Sequence, residues 1–451
     1  MSQPILTFAS LLLHFQSAFS KPAFYRFFLL SVGWLIIPGR HAITSALIAL
    51  GLSGTLHHAA FHSFFSRGNW NAEALGQHLF RLLLTLLPED SVLAVIIDDT
   101  AVQRRGPRVF GTGPHHDAVR SSHSRKVLLF GHCWVVLSLV IQLPGLPRPY
   151  ALPLLFRLYR NKKRCPEDEF KTKTQLARDL IDRIQRWAPR RTIHLMLDGA
   201  YCVETVLHDL PDTVVVFGRM RVDADLRGTL ADRLTQRAAK STPRGRLPQK
   251  GLPCPKPKAL ATDPETTWTT SLVQLYGVTR SVQWAEQVAC WPRVFGERLL
   301  KVVVTAPTKS RPQAEAFFCS HADVLAVAVL ESYALRWPTE VTFREMKQFL
   351  GFGEIHSWTA GAVRRMVPWV GLLYSLVVVW FSQVQSQGVT TVIPLRPWYR
   401  HRRGPSFEDM LRTLQNTLRD PAFLKVLGNA ADFKQWIEII SPKQASRRRA
   451  A

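Results

Sequence analysis

Apolar residues come in long, nearly charge-free stretches at the start of the chain, notably Phe27 to Pro38 (FFLLSVGWLIIP) and Ile43 to Leu52 (ITSALIALGL). A membrane-spanning helix needs about 20 predominantly apolar residues, and these runs are shorter and separated by Gly39, Arg40 and His41. They are expected to be buried helices, with no membrane partner. Pro38-Gly39 marks a break and Asn69-Trp70-Asn71 opens a further helix. Residues 1–88 are therefore read as a helical N-terminal domain. Its sparse cations, Lys21, Arg26, Arg40, Arg67 and Arg81, suit a small DNA-reading domain as well as an ordinary solvated face.

From Ser91 the period shortens. Runs at 91–98 (SVLAVIID), 126–140 and 151–159 read as three consecutive strands, and 174–187 (TQLARDLIDRIQRW) has helical spacing. A strand at 192–198, a helix at 201–208 and a strand at 213–220 follow. Three strands, helix, strand, helix, strand is the order of an RNase H-like core, whose first part is placed at 89–220. Residues 221–300 are read as a β-rich insertion, with an exposed Pro- and cation-rich loop at 240–258. The strand at 299–307 leads back to a second part of the core at 301–375, with a long helical region from about Asp323 to Leu350. Residues 376–451 form a helical tail with basic patches at 396–403 and 447–449.

Composition narrows the chemistry. The 451 residues carry 58 Lys+Arg against 33 Asp+Glu, a formal charge of +25, so a polyanion is the expected partner. With 47% hydrophobic residues, a chain disordered throughout is excluded. The six cysteines form no C-x-x-C pair, which argues against a disulfide scaffold or a cysteine-rich zinc module and suits a reducing cytoplasm. No secretory signal pattern is seen at the N-terminus. His57-His58, His115-His116 and His123 lack a clear ligand set and are read as surface or packing residues.

Three carboxylates stand out. Asp98 and Asp99 close one strand and Asp198 closes another. Each alone suits a turn, but in the expected fold the two strands are neighbours. Converging carboxylates repel unless a cation lies between them, and hard divalent ions such as Mg²⁺ or Mn²⁺ match oxygen ligands. A third is expected from ESYALRWPTEVTFREMKQFLG, where Tyr333, Arg336, Glu340 and Lys347 share one helical face. The alternative is a salt-bridged amphipathic helix in which Arg336 and Glu340 form a surface pair of little energetic worth.

Tyr, two residues, Arg, three residues, Glu, six residues, Lys is the spacing of Tyr333, Arg336, Glu340 and Lys347, with Trp337 following the arginine. On these residues, and on IDDT at 97–100, GHCWV at 131–135, DGAY at 198–201 and FHSFFSRGNW at 61–70, the sequence resembles bacterial insertion-sequence DDE transposases carrying the Tyr-Arg-Glu-Lys signature. These form the insertion-sequence-four-like superfamily. The resemblance implies two Mg²⁺ or Mn²⁺ ions held by Asp98, Asp198 and Glu340, and contacts from Tyr333, Arg336, Trp337 and Lys347 to DNA. It also implies action on terminal inverted repeats and target DNA, a homodimer when bound to DNA, and a cytoplasmic, nucleoid-associated location. Neighbouring strand residues point to opposite faces, so Asp98 or Asp99 could be the first ligand. The resemblance favours Asp98, since such transposases tend to carry Ser or Thr two positions after the first ligand, here Thr100. Pro338 either kinks the signature helix or begins it. Two other classes remain open: a non-catalytic DNA-binding derivative, and a metal-dependent nuclease that cuts DNA without joining it.

Overall fold

The computed structural model describes residues 1–106, 108–117, 120–122, 124–239, 247–308, 312–354, 356–389, 398 and 404–441. The basic patch at 396–403, apart from Trp398, lies outside them, as do 447–449, His123 and the first part of the 240–258 loop.

Helices α1 (Gln3–Leu13), α2 (Lys21–Ile36), α3 (Ile43–Ala49), α4 (His58–Ser66) and α5 (Ala72–Leu84) come first. The apolar runs noted above form α2 and α3, and Asn71 opens α5 by accepting the Glu73 N–H on its side chain. Next are β1 (Leu93–Gln103), β2 (Gly113–His116), β3 (Leu128–Ile141), β4 (Tyr150–Tyr159) and α6 (Lys173–Trp187). A capping box between Thr172 and Gln175 fixes the start of α6, and its Leu176, Leu180, Ile181 and Ile184 face inward. Strand β5 (Ile193–Leu197), short helix α7 (Glu204–Leu207) and β6 (Val214–Met220) complete the expected order.

Beyond it lie α8 (Leu230–Ala238), α9 (Pro257–Thr262), β7 (Thr269–Leu275), β8 (Val278–Cys290), α10 (Pro292–Phe295), β9 (Leu299–Thr305) and β10 (Glu315–Cys319). Helices α11 (Ala326–Ala334), α12 (Trp337–Phe349), α13 (Ala360–Ser386), α14 (Phe407–Leu418), α15 (Pro421–Gly428) and α16 (Ala430–Ile440) finish the described chain. The strand order and flanking helices make this an α/β protein with an RNase H-like fold.

The chain forms two compact units: Met1–Glu89 with Asp99–Phe170 and Val341–Ala451, and Asp90–Asp98 with Lys171–Glu340. In the second, β1 pairs with β5 and β5 with β6, both in parallel. The sheet continues antiparallel through β10, β9, β8 and β7, so the strands of the 221–300 segment extend it. In the first, β3 pairs antiparallel with β2 and β4. Its core helix α13 packs on β4, α1, α4 and α5. Gly371 permits the close approach to β4, because a Cβ there would lie 2.4 Å from the Phe156 ring. Helix α13 is the one helix among the described residues long and apolar enough to cross a membrane, and 89% of its apolar window is buried inside the protein. The expected boundary at 375/376 falls inside it.

Three expectations need correction. The first strand does not close at Asp98-Asp99 but runs on through Thr100 to Gln103. The strands at 91–98 and 126–140 are not consecutive, since the short β2 intervenes. The signature region is not one continuous helix: α11 ends at Ala334, Leu335 and Arg336 turn, and α12 starts at Trp337 with Pro338 in its first turn. Proline lacks the N–H that a helix interior needs, so it sits where that donor is dispensable.

Candidate active site

Within the second unit, parallel pairing sets Ile97 opposite Leu197. Asp98 and Asp198 are the next residue on each chain, so Asp98 lies midway along β1 where its pairing with β5 ends, and Asp198 lies just beyond the end of β5, at matching register. Ile96, Ile97, Met196 and Leu197 are wholly buried. Each such side chain contributes roughly 1.5–3 kcal/mol by leaving water, so slipping the register would cost far more than either aspartate could recover. After Asp198 the chain turns at once: the Tyr201 N–H and the Cys202 thiol both donate to its backbone carbonyl, at 2.9 and 3.4 Å.

Arg336 connects the middle of β1 to the start of α12. Its Nη1 donates to Asp98 Oδ2 at 2.6 Å and its Nη2 to Glu340 Oε1 at 2.5 Å. The side chains of Arg336 and Asp98 are 18% and 16% exposed, against 39% for Glu340. The Arg336–Glu340 pair anticipated from helix spacing does form, but as half of a largely buried bridge. Burial alone would lower the guanidinium pKa. Asp98 foremost, then Tyr333, Glu340 and Asp198 overcome it and hold the pKa above its usual value. Arg336 Nε is buried and makes no hydrogen bond.

Tyr333 lies against Phe317, ring centroids 4.8 Å apart, with the Arg336 guanidinium 5.9 Å from its own ring. Burial pushes its hydroxyl up to about 12. Asp198 adds to this, while Arg336 and Arg219 oppose it. Trp337 is 45% exposed and meets Tyr276 edge-on at 5.7 Å. Tyr276 sits at the β7–β8 turn with φ of 56°, a conformation that non-glycine residues seldom adopt. Sequence reasoning singled out neither Tyr276 nor Arg219. The latter pairs with Glu315 at 3.1 Å and lines a cleft of about 800 Å³ that opens beside Asp198, with Arg221 and Lys258 also on its wall.

Asp198, Asp98, Arg336, Glu340 and Tyr333 are thus one electrostatic group. Asp99 is not part of it: on the opposite face of β1, in the first unit, it accepts the Cys133 thiol at 3.3 Å. Lys347 also belongs to the first unit, where it reaches the surface. Desolvation lowers its ammonium pKa, opposed by Asp117, Cys133 and Asp99.

Among the described residues no three His, Cys, Asp or Glu side chains stand ready as a metal cluster. Nevertheless the donor set of Asp98, Asp198 and Glu340 is all oxygen and suits a hard divalent ion. A cation already lies among them in the form of Arg336, which meets the charge requirement with one nitrogen left unbonded.

No curated protein matches the sequence. The family described as DDE superfamily endonuclease matches residues 14–290, more than half the chain, a stretch that includes Asp98 and Asp198 and stops short of Tyr333 to Lys347. With two carboxylates register-matched where β1 and β5 stop pairing, and that match across most of the sheet, the chain belongs to the DDE superfamily of endonucleases.

Proposed function

We propose that the protein is a DNA transposase of the insertion-sequence group with the Tyr-Arg-Glu-Lys signature, cutting transposon ends and joining them to target DNA. The observation that carries this reading is the Arg336 bridge between Asp98 and Glu340, beside Asp198 on the neighbouring strand end. It joins the signature to the aspartates of the β1 and β5 strands in one group.

Asp98, Asp198 and Glu340 would hold two Mg²⁺ or Mn²⁺ ions. When bound, such ions supply the Lewis acidity that activates water, then the freed 3′-hydroxyl, and that offsets charge on the leaving oxygen. The paired strands β1 and β5 fix two of the carboxylates before DNA arrives, which limits reorganisation during attack. Arg336 and Tyr333 hold the phosphate next to the scissile bond, the guanidinium by its paired N–H groups. Trp337 offers an exposed ring to a base. The cleft beside Asp198, with Arg219, Arg221 and Lys258, takes the continuing strand. Lys347 contributes a phosphate contact.

The exposed cations Lys21, Arg67 and Arg81 of the N-terminal helices read the terminal repeats in a homodimer that pairs two ends in the cytoplasm, associated with the nucleoid. Deleting residues 1–88 would remove core residues such as Phe27, Phe28 and Trp34, so neutralising these three cations is the sounder test of end recognition.

The deciding experiment is single-turnover cleavage and strand transfer on a terminal-repeat duplex. Asp98→Asn, Asp198→Asn and Glu340→Gln are expected to abolish both while retaining end binding, and Asp99→Asn to be milder. Cleavage without joined product would support a nuclease instead, and wild-type rates in Asp198→Asn would remove the reading.

A further inference from the structure

Arginines in proteins are usually held by carboxylates, which cancel their charge. Among the described residues of the first unit five lie over aromatic rings, three of them over Phe110 and Phe130. Arg160 and Arg364 lie over Phe110, 4.8 and 4.9 Å from its centroid, and Arg164 lies over Phe130 at 5.3 Å. A ring orients a guanidinium through its quadrupole without neutralising it, leaving the planar N–H fork available for a phosphate.

The acidic side chains nearby do not cancel the patch. Glu169 takes Arg160 at 2.5 Å. Glu167 and Asp168 in the same turn are exposed, against four exposed cations, Lys162, Lys163, Arg164 and Arg364. Among the described residues Arg164 and Arg364 form no ion pair. The loop carrying Phe110 brings further cations, Arg105 and Arg108, both exposed. The Phe110 N–H donates to the Trp358 carbonyl at 2.9 Å, fixing that loop next to an indole that is 65% exposed.

We propose that the surface built on Phe110 and Phe130, with Arg164 and Arg364 laid on the two rings and Lys162 and Lys163 beside them, docks the phosphate backbone of duplex DNA. The inference rests on the DNA-acting reading above and adds a binding surface separate from the carboxylate group. Ring-held guanidiniums cost little ordering entropy when a phosphate arrives, and their charge draws a polyanion without reading its sequence.

The test uses the full chain in chelator, so that cleavage plays no part, and measures affinity for a random-sequence duplex by fluorescence anisotropy across a salt series. In Lys162→Gln/Lys163→Gln/Arg364→Gln, the slope of log affinity against log salt is expected to flatten by roughly 2–3, at about 0.9 for each phosphate no longer neutralised. Lys162→Gln/Lys163→Gln leaves the ring packing untouched and should show about two-thirds of that change. A control with the same change of charge at exposed Arg190, Lys425 and Lys434 should keep the wild-type slope to within about one unit. A patch variant with the wild-type slope, or a control that flattens equally, overturns the docking surface while leaving the transposase reading intact. Wild-type protein without salt-dependent duplex binding would instead remove that reading. If the patch variant loses binding to anionic phospholipid vesicles while keeping duplex binding, the partner is a membrane surface and the proposal is wrong.

Discussion

Arg336→Met removes the charge that holds Asp98 and Glu340 together while keeping most of the side-chain stem. Two unit charges about 4 Å apart interact by roughly 4 kcal/mol at an effective dielectric constant near 20, before desolvation is subtracted. The Arg336–Asp98 pair is 18% and 16% exposed and behaves more like a buried pair, whose breakage costs about 3–5 kcal/mol. The Glu340 side chain is 39% exposed, and its share is at most about 1 kcal/mol. Allowing for partial solvation, the guanidinium offsets a repulsion of about 2–3 kcal/mol among the three carboxylates.

A divalent ion must take those carboxylates from Arg336, so the same energy opposes its binding to the wild type. Arg336→Met should therefore bind Mn²⁺ roughly 30- to 100-fold more tightly, at about 1.4 kcal/mol per factor of ten. In chelator it should be less stable than wild type, and Mn²⁺ should restore much of the difference. Isothermal titration calorimetry without DNA reads the affinity, and calorimetric unfolding with and without the ion reads the stability. Weaker or unchanged Mn²⁺ binding in the variant would refute the reasoning, because it would mean that the carboxylates do not share a site with the guanidinium.

Further outcomes follow from other parts of the molecule. His132 is buried, its Nε2–H donates to the Phe110 carbonyl at 2.8 Å, and its pKa is lowered from 6.5 to about 4, chiefly by burial. The unfolded chain therefore binds the extra proton first, and stability should fall by up to about 3 kcal/mol as pH drops from 6.5 to 4. Denaturant unfolding of His132→Gln should lose that part of the slope, and an unchanged profile would contradict the assignment. Gly131→Ala would set a Cβ 1.9 Å from the Val102 carbonyl oxygen, so β1 and β3 must separate locally. A loss of at least about 1–3 kcal/mol is expected, and a change within about 0.5 kcal/mol would show that the backbone yields freely. Lys347→Ala should lower the salt slope of end binding by about one unit and slow cleavage at saturating DNA, whereas exposed Lys434→Ala should do neither. Equal rates for the two variants would make Lys347 an ordinary surface residue.

Much of the candidate site was legible because carboxylates next to apolar strand runs are costly and therefore conspicuous. MLD at 196–198 marked β5 and its end, while IID at 96–98 marked β1 but not its end, which lies at Gln103; parallel pairing put the two aspartates in register. The turn chemistry of Asn71 and the periodicity of α6 were equally readable. Strands β2 and β10 were not, since four or five residues carry too little alternation to distinguish them from loop. The Pro338 break was visible as a proline, but whether it kinked or began a helix depended on the turn at Leu335 and Arg336. Least legible was the role of Arg336. Spacing showed its neighbour at i+4, while Asp98 lies 238 residues away in sequence and meets it only through the fold. The ring-held arginines on Phe110 and Phe130 are of the same kind, brought to their rings by the fold from positions far apart in sequence or within a loop.

The central claim, that Asp98, Asp198 and Glu340 together hold the catalytic ions, is tested most directly by replacing those ions with Fe²⁺. In ascorbate and peroxide, bound iron releases hydroxyl radicals that cut the protein backbone nearby, and the fragments locate the site by mass. Cuts are expected beside residues 98, 198 and 340 in the wild type, suppressed by excess Mg²⁺ and absent in Asp198→Asn. Cleavage confined to other positions, or cuts at 98 and 198 that persist in Asp198→Asn, would contradict the account.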